Sequence, residues 1–513
     1  MQCAKIWTIL FATTSHFPFE KLVDPSKTAA NNLLTKRLSS TMPAPDFDLI
    51  PFVRSIRLNH PKEDYEELMD AIGSARVVCI GDGSHGTLEF YRERAYITQR
   101  LIAEKGFNAV VAEADWPDAI TINRYVQNTS KTPIKGAVDA LKDFKRFPLW
   151  MWRNEVMVPF IKWLRLWNDK IAHQGGGLFD KACFFGMDMY SLHASAAAVI
   201  EYLQKVDPKA AQKARERYGC FHRFGTDTTK YAFAVRYGIS EGCGQEAVKV
   251  LQDLLEKRLQ YVKENCNSAE EEQFIAEMNA LVVKDAEEYY RCMLDEDVIT
   301  WNLRDQHMVD TLERVMEWID RHKSQDQKSK VVVWAHNSHL GDARYTDMGR
   351  RRGEVNVGQL CREKFGEDNV FNIGFTTYKG TVTAAHEWDT PGRIMDVNPG
   401  RQDAYEGLME RSLPHIKNCL LLTHRIDPKT GKKIPIDEQL NRYLDNPLRL
   451  ERFIGVIYRP ATERWSHYSS CALASQFDAL AHLRVTNGIR PLDKTAHFPD
   501  ASPDVPETFP FAM

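Results

Sequence analysis

The most constraining stretch of this sequence is an apolar run that ends in a glycine-rich turn, at residues 77–90. Val77 to Ile80 are apolar and rich in β-branched side chains, which predicts a buried β-strand. Three glycines then interrupt the run, and a helical pattern follows. In open α/β sheets ligands bind at the carboxyl ends of strands, so Asp82 and His85 are the first candidate functional residues. The alternative is a turn whose polar side chains only cap the helix.

A second apolar strand, at 107–112, follows the helix and ends at Glu113. A strand, a crossover helix and a second strand predict a parallel pair. Because parallel strands end at the same edge of a sheet, we expect His85 and Glu113 to face one crevice. Further strands that end in polar residues are predicted at 183–188, 331–335, 370–375 and 453–458. The expected fold is α/β, with a central, largely parallel sheet flanked by helices and an inserted, mostly helical subdomain.

Five segments are predicted along the chain. They are a disordered leader (1–45), the first part of the α/β core with the glycine-rich turn (46–193), a helical insertion (194–325), the second part of the core (326–492) and an extended tail (493–513). The insertion is assigned from its long charged helical patterns. Within it, residues 205–245 are rich in Gly, Tyr and Arg, and we expect an irregular loop over the cleft.

Composition excludes several classes of partner. The net charge of −3 over 513 residues provides no broad electrostatic basis for binding nucleic acid or an anionic membrane. No apolar run approaches the ~20 residues of a membrane helix. The ten cysteines are scattered, which is typical of a reduced, intracellular protein. We expect a cytoplasmic protein that acts on a small molecule, with mitochondrial targeting by the leader as the alternative; its oligomeric state stays open.

The residues that could carry chemistry support two mechanisms. They are His85, Glu113, His336 and His339, with Asp82, Arg94 and Arg344 nearby in the sequence. In the first mechanism, a histidine paired with a carboxylate acts as general base on water, and an arginine or second histidine stabilises the oxyanion. In the second, two histidines and a carboxylate hold a Zn²⁺-type ion that activates the water. The G-x-S-x-G and H-E-x-x-H motifs are absent.

Several stretches of the sequence resemble signature segments of the erythromycin esterase family. In chain order they are 81–94, 112–118, 301–308, 334–344, 353–360, 374–385 and 458–464. The resemblance implies an α/β core with helical additions and the hydrolysis of macrolide lactones by characterised members. It also implies that His85 is the general base, Glu113 the matching acidic residue and Arg94 the matching basic residue, with His336 and His339 as the later histidine pair.

One residue departs from the family pattern. The family usually has Glu where this chain has Asp82, so the carboxylate here is one methylene shorter. A misplacement of that size can cost about 100-fold in rate. The resemblance therefore predicts hydrolysis more firmly than it predicts a macrolide substrate.

We therefore expect an erythromycin esterase-like hydrolase that cleaves an ester or lactone, with His85 activating water. The expected catalytic residues are His85, Glu113, Asp82, Arg94 and His336. The expected substrate-binding residues are His339, Arg344, Asp115, Trp116, Tyr190 and Arg304. No cofactor is expected, and the first alternative is a hydrolase that uses a divalent metal such as Zn²⁺ at the same cluster. The second alternative is a metabolite-binding or biosynthetic protein without hydrolytic activity.

Overall fold

The computed structural model describes residues 47–58, 60, 62–223, 228–265, 269–295, 297–324 and 327–493. The predicted leader (1–45) and the predicted tail beyond residue 493 lie outside these ranges. The β-strands are β1 (Val53–Ser55), β2 (Val77–Ile80), β3 (Ala109–Asp115), β4 (Cys183–Asp188), β5 (Val331–Trp334), β6 (Val370–Ala384), β7 (Arg393–Val397), β8 (Asn418–Leu422), β9 (His424–Ile426), β10 (Lys433–Pro435), β11 (Arg449–Arg452), β12 (Tyr468–Cys471) and β13 (Ala479–Thr486). The α-helices are α1 (Glu66–Ile72), α2 (Leu88–Lys105), α3 (Trp116–Gln127), α4 (Ala137–Ala140), α5 (Met157–His173), α6 (Leu192–Val206), α7 (Pro208–His222), α8 (Thr228–Arg236), α9 (Gly244–Glu256), α10 (Arg258–Asn265), α11 (Ala269–Cys292), α12 (Asp297–Arg321), α13 (Asn337–Leu340), α14 (Val357–Phe365), α15 (Tyr405–Ser412), α16 (Glu438–Asp445), α17 (Glu463–Ser466) and α18 (Leu473–Gln476).

The described residues are organised around a sheet of nine strands. Its order is β1-β8-β13-β6-β2-β5-β3-β4, and β7 pairs with β6. The neighbours from β13 to β4 are all parallel, whereas β1, β7 and β8 form antiparallel pairs. The predicted α/β fold with a largely parallel sheet is therefore confirmed.

Both faces of the sheet are covered by helices. Val77 and Cys79 belong to a hydrophobic cluster that includes residues of α6 to α12, while Val78 and Ile80 belong to a second cluster with α1, α2 and α5. Strands buried on both faces carry continuous apolar runs, which is why these strands could be recognised. From Asp48 onward the described residues form one compact unit, and the predicted boundaries of the helical insertion remain a prediction.

One predicted strand pairing is wrong. Strands β2 and β3 do not pair with each other, because β5 lies between them, and Val331 is in register with both Val77 and Ala109. The strand–helix–strand unit sets direction and handedness, but it leaves a gap that a strand from much later in the chain can fill. All three strands are parallel, so their carboxyl ends still meet at one edge.

The glycine-rich turn after β2 is packed against β6. A Cβ on Gly86 would overlap the carbonyl group of Thr383, and the N–H of Thr383 donates to the Gly86 carbonyl oxygen at 3.0 Å. Only glycine permits this approach. Helix α2 follows directly, and Gly106, with a φ of +72°, ends it.

The expectation of an irregular loop at 205–245 is wrong, because α7 and α8 cover most of it. Ala211, Ala214, Tyr218 and Phe221 are all buried and recur every three or four residues, as expected for one face of a helix. Alanine and tyrosine give this stripe little hydrophobic contrast, so the sequence pattern was weak. No helix in the described ranges has the length and hydrophobicity needed to cross a bilayer.

The scattered cysteines predict reduced thiols, and the structure departs from that prediction at one pair. Cys220 and Cys243 form a disulfide, with their Cα atoms 6.1 Å apart and a sequence separation of 23. They meet because α7 packs against α9. A spacing of this length carries no motif that identifies a pair.

Candidate active site

Three neighbouring strands bring the predicted histidines and carboxylates together. The turn after β2 carries Asp82 and His85, β3 carries Glu113, and the segment after β5 carries His336 and His339. Each of these side chains is between 1% and 5% exposed. The structure therefore assembles one buried cluster, which is called the His–Glu cluster below.

Asp82 faces one nitrogen of His85. Its Oδ1 lies 3.4 Å from Nδ1 of His85, and its Oδ2 accepts a hydrogen bond from Nη1 of Arg94 at 2.8 Å. Burial raises the pKa of Asp82, but the charges of His85 and Arg94 outweigh burial and hold it below the ordinary value. An ionised Asp82 favours the proton of His85 on Nδ1, which leaves the Nε2 lone pair able to accept a proton.

Glu113 lies on the other side of His85. Its Oε1 is 3.9 Å from Nε2 of His85, which is too long for a direct hydrogen bond. Oε1 accepts from Nη2 of Arg304 at 2.6 Å, and Oε2 accepts from the backbone N–H of His336 at 2.9 Å. Burial raises the pKa of Glu113, but His339, Arg304, His85 and this backbone N–H together hold it well below the ordinary value.

A β-bulge shapes the strand that carries Glu113. Ala112 is in register with Gly186, and Asp115 with Asp188, so β3 has one residue more than β4 across this stretch. A Cβ on Gly186 would overlap the carbonyl group of Ala114, so glycine makes room for the bulge. Bulges commonly redirect side chains next to functional sites, and this one includes Glu113.

His336 is held as a neutral hydrogen-bond donor. The backbone N–H of Ser338 donates to Nδ1 at 3.3 Å, and the Ser338 hydroxyl lies 2.8 Å from the same nitrogen. Nδ1 is thus an acceptor, and the proton of the neutral ring is on Nε2. Among the described residues, Nε2 has no hydrogen-bond partner. Burial, with His85 alongside at 4.9 Å between ring centroids, lowers the pKa of His336 to about 3.

His339 has both ring nitrogens engaged by the protein. Nδ1 lies 2.9 Å from each carboxylate oxygen of Asp305, and Nε2 lies 2.9 Å from Nη1 of Arg304. A guanidinium group can only donate, so Nε2 accepts and the Nδ1 proton faces Asp305. Trp301 stacks on the ring with 4.3 Å between centroids. The surroundings of His339 are therefore complete without a substrate, unlike those of His336.

The remaining predicted substrate-binding residues divide into two groups. Asp115 accepts from Nε of Arg146 at 2.9 Å, and the guanidinium groups of Arg146 and Arg304 lie 4.6 and 5.1 Å from the ring centre of Tyr190. These residues adjoin the His–Glu cluster through Arg304.

Trp116 and Arg344 lie elsewhere. Trp116 is fully buried and stacks on Phe185 at 5.3 Å, in the hydrophobic core. Arg344 pairs with Asp342 and, at 3.2 Å, with Glu367. The structure does not bring either side chain to the cluster: the first turn of α3 packs inward, and the carboxylates beside Arg344 draw its guanidinium to them.

Two carboxylates of the site were not among the predicted residues. Asp188 accepts two hydrogen bonds from Arg304, at 3.0 and 2.9 Å, and Asp305 is the partner of His339. Asp188 ends a predicted strand, and Asp305 lies in a segment with a family resemblance. The strand end and the family resemblance are both visible in the sequence, but neither feature identifies which acidic residue of its segment belongs to the site.

The donor set does not favour a metal ion. Within the described part of the chain, no group of three or more His, Cys, Asp or Glu side chains is arranged so that it could hold one. Nε2 of His339 and both oxygens of Glu113 already accept hydrogen bonds from Arg304 or the main chain. The metal-dependent alternative remains a hypothesis.

Comparisons with known proteins agree with this fold. The family model described as erythromycin esterase matches residues 102–486, a range that contains Glu113, His336 and His339 and begins after His85. Erythromycin esterase type II of Escherichia coli is 23% identical over 385 residues, which cover 71% of this chain and 84% of that protein.

Solved structures of similar fold include two examples. One is a succinoglycan biosynthesis protein, with a TM-score of 0.62 and 20% identity, covering 86% of this chain and 96% of that one. The other is an erythromycin esterase mutant in its open conformation, with a TM-score of 0.56 and 19% identity, covering 85% of this chain and 98% of that one. Since the family model spans well over half of the sequence, the chain belongs to the erythromycin esterase family, a family of hydrolases.

Proposed function

We propose that this protein hydrolyses a carboxylic ester or lactone of a small molecule, with His85 as the general base. The observation that carries the proposal is the position of His85: Nδ1 faces the Asp82 carboxylate, and Nε2 faces the side of the cluster where Glu113 and His336 lie. A histidine oriented by a carboxylate is the arrangement that activates a nucleophile by removing its proton.

In the proposed reaction, Nε2 of His85 takes a proton from water while the water oxygen attacks the carbonyl carbon. The imidazolium that forms lies between the carboxylates of Asp82 and Glu113, which stabilise its charge. His336 donates its Nε2–H to the oxyanion; because its pKa is about 3, this donor is neutral at working pH. Collapse of the intermediate breaks the bond to the alcohol oxygen, which takes the proton from His85.

The oxyanion donor and the general base each account for a part of the expected rate enhancement. A neutral donor aimed at a developing oxyanion in a dry site is worth about 3–4 kcal/mol in transition-state stabilisation. General-base catalysis adds about 100- to 10,000-fold in rate. The family membership supports hydrolysis, and the ester or lactone bond is the part that the experiment must establish.

The test is turnover of a panel that contains para-nitrophenyl acetate, alkyl esters, simple lactones and a macrolide, followed by mass spectrometry. We expect His85→Asn to lose at least about 100-fold in kcat. His482→Asn is the matched control, because His482 is also a buried histidine, 4% exposed, and bonds to Thr376 rather than to the cluster. Wild-type turnover by His85→Asn would contradict the mechanism. Tight binding of a panel compound without turnover would favour the metabolite-binding alternative.

A further inference from the structure

Asp188, at the end of β4, holds Arg304 in one orientation. Oδ1 of Asp188 accepts from Nε of Arg304 at 3.0 Å, and Oδ2 accepts from Nη2 at 2.9 Å. Asp188 is 1% exposed and Arg304 is 3% exposed. A carboxylate and a guanidinium joined by two parallel hydrogen bonds define a plane as well as a distance. Asp188 therefore sets the direction of the remaining N–H groups of Arg304.

Those remaining groups hold Glu113 and His339. Nη2 donates a second hydrogen bond, to Oε1 of Glu113 at 2.6 Å, and Nη1 donates to Nε2 of His339 at 2.9 Å. The four hydrogen bonds use Nε–H, both Nη2–H groups and one Nη1–H group, out of the five N–H groups of a guanidinium. Arg304 would have to give up contacts inside the cluster to bind a substrate with its fork.

The pairing with Asp188 also limits how many hydrogen bonds Arg304 can donate to Glu113. Because Asp188 takes the paired edge of the guanidinium, Glu113 receives a single hydrogen bond from it. Without Asp188, the fork is free to turn and to bind both oxygens of Glu113. That turn would draw Glu113 away from the backbone N–H of His336 and from Nε2 of His85, to which the distances are now 2.9 and 3.9 Å.

We propose that Asp188 is a positioning residue, which acts through Arg304 to fix the carboxylate of Glu113 beside the general base. Arg304 then links the two carboxylates, in place of the substrate-binding role predicted from the sequence. The inference rests on the proposed function, in which Glu113 stabilises the His85 imidazolium.

The first experiment measures kcat and KM of Asp188→Asn with para-nitrophenyl acetate. The substitution keeps the shape of the side chain but removes one acceptor of the paired hydrogen bonds. We expect kcat to fall by about 10- to 100-fold, as for a misplaced catalytic group, while KM stays within about 3-fold. The matched control is Asp478→Asn, which alters a fully buried carboxylate bonded to Arg362 and Lys433 rather than to the cluster; it should lower stability and leave kcat unchanged.

A double-mutant cycle separates positioning from a general structural role. If Asp188 acts through Glu113, then adding Asp188→Asn to Glu113→Gln lowers the residual kcat by less than about 3-fold, because coupled residues are not additive. The same loss in both backgrounds would overturn the inference, as would a wild-type kcat in folded Asp188→Asn.

A second variant keeps the question testable if Asp188→Asn does not fold. Arg304→Lys retains the buried positive charge but lacks the planar fork, and it should show the same fall in kcat with KM unchanged. A wild-type kcat in folded Arg304→Lys also overturns the inference. If His85→Asn and Glu113→Gln keep wild-type turnover, the proposed function is wrong; if they lose turnover while Asp188→Asn keeps it, only the positioning role is wrong.

Discussion

Nδ1 of His85 lies 3.4 Å from Oδ1 of Asp82, and the other oxygen of Asp82 is held by Arg94 at 2.8 Å. The sequence left open whether Glu113 orients His85 or acts as a second carboxylate. The geometry instead supports Asp82 as the group at Nδ1, with Glu113 on the Nε2 side. Asp82, the shorter carboxylate that departs from the family pattern, thus lies next to Nδ1 of the candidate base.

We predict that Asp82→Asn lowers kcat by about 100- to 10,000-fold, because an amide does not hold the imidazole in the required tautomer. Steady-state kinetics on the purified variant provide the measurement. A loss below about 3-fold would show that Asp82 does not orient His85.

A second substitution at this position, Asp82→Glu, introduces the residue that is usual in the family. Because Asp82 is 1% exposed and its two oxygens already face His85 and Arg94, the extra methylene overpacks the turn and should cost about 1–3 kcal/mol of unfolding free energy. Urea denaturation measures that cost. We also expect kcat to fall, and a stable, faster Asp82→Glu would show that the turn has room for the longer side chain.

We predict different consequences for the two later histidines. His336→Gln removes the open Nε2–H donor and should lower kcat by about 100-fold or more, as expected for loss of an oxyanion donor, with little change in unfolding free energy. His339→Gln instead disturbs hydrogen bonds to Arg304 and Asp305 and should lower stability together with activity. Parallel urea titrations and kinetics distinguish the two, and equal stability losses would contradict the assigned roles.

Three buried histidines should each lower the stability of the fold in acid, at pH values well above those at which ordinary carboxylates titrate. Burial lowers the pKa of His336 and His482 to about 3 and that of His467 to about 4, against about 6.5 in an unfolded chain. Below pH 6.5 the unfolded state binds protons that the native state excludes. The stability from each histidine is complete above pH 6.5 and falls by up to about 1.4 kcal/mol per pH unit toward its native pKa.

The measurement for this prediction is the unfolding free energy between pH 7.5 and about 5. His482→Asn should show a shallower decline than the wild type, since one of the three buried imidazoles is missing. Parallel curves would mean that folding does not lower the pKa of His482.

Chelation separates the proposed mechanism from its metal-dependent alternative. Dialysis against a strong chelator, followed by elemental analysis, should leave ester turnover unchanged in protein that contains less than about 0.1 metal ion per chain. Loss of turnover that Zn²⁺ restores would favour a metal at the cluster, because a metal-activated water does not form without the ion.

The buried strands β2, β3, β4 and β5 could be predicted from the sequence because parallel strands bury both faces and are followed by polar residues. Two other predictions are wrong: 453–458 forms only isolated bridges, and β6 continues to Ala384 instead of ending at residue 375. That reasoning placed His85, Glu113 and His336 at one edge, and the structure brings them together. It could not predict that β5 lies between β2 and β3, since the order of strands in a sheet depends on contacts between distant parts of the chain.

The hydrogen-bond partners were harder to predict than the cluster itself. Asp305 and Ser338 decide which nitrogen of His339 and of His336 carries a proton, and Asp188 orients Arg304. Each of the three is an ordinary polar residue near a strand end or on a helix. Trp116 differs from these residues: it follows a strand end, as a binding residue might, but its ring packs into the core. Periodicity locates a side chain along an element but does not specify its partners.

The place of β5 between β2 and β3 has a consequence for how the polypeptide is made. The two strands that carry Asp82, His85 and Glu113 are synthesised more than 200 residues before Val331–Trp334, the strand that joins them. Until that strand leaves the ribosome, β2 and β3 each present an unpaired edge, and contacts of such separation form slowly. A nascent or truncated chain that ends before Val331 is thus a target for chaperones and for edge-to-edge association, and catalytic competence arises only after the second half of the chain is complete.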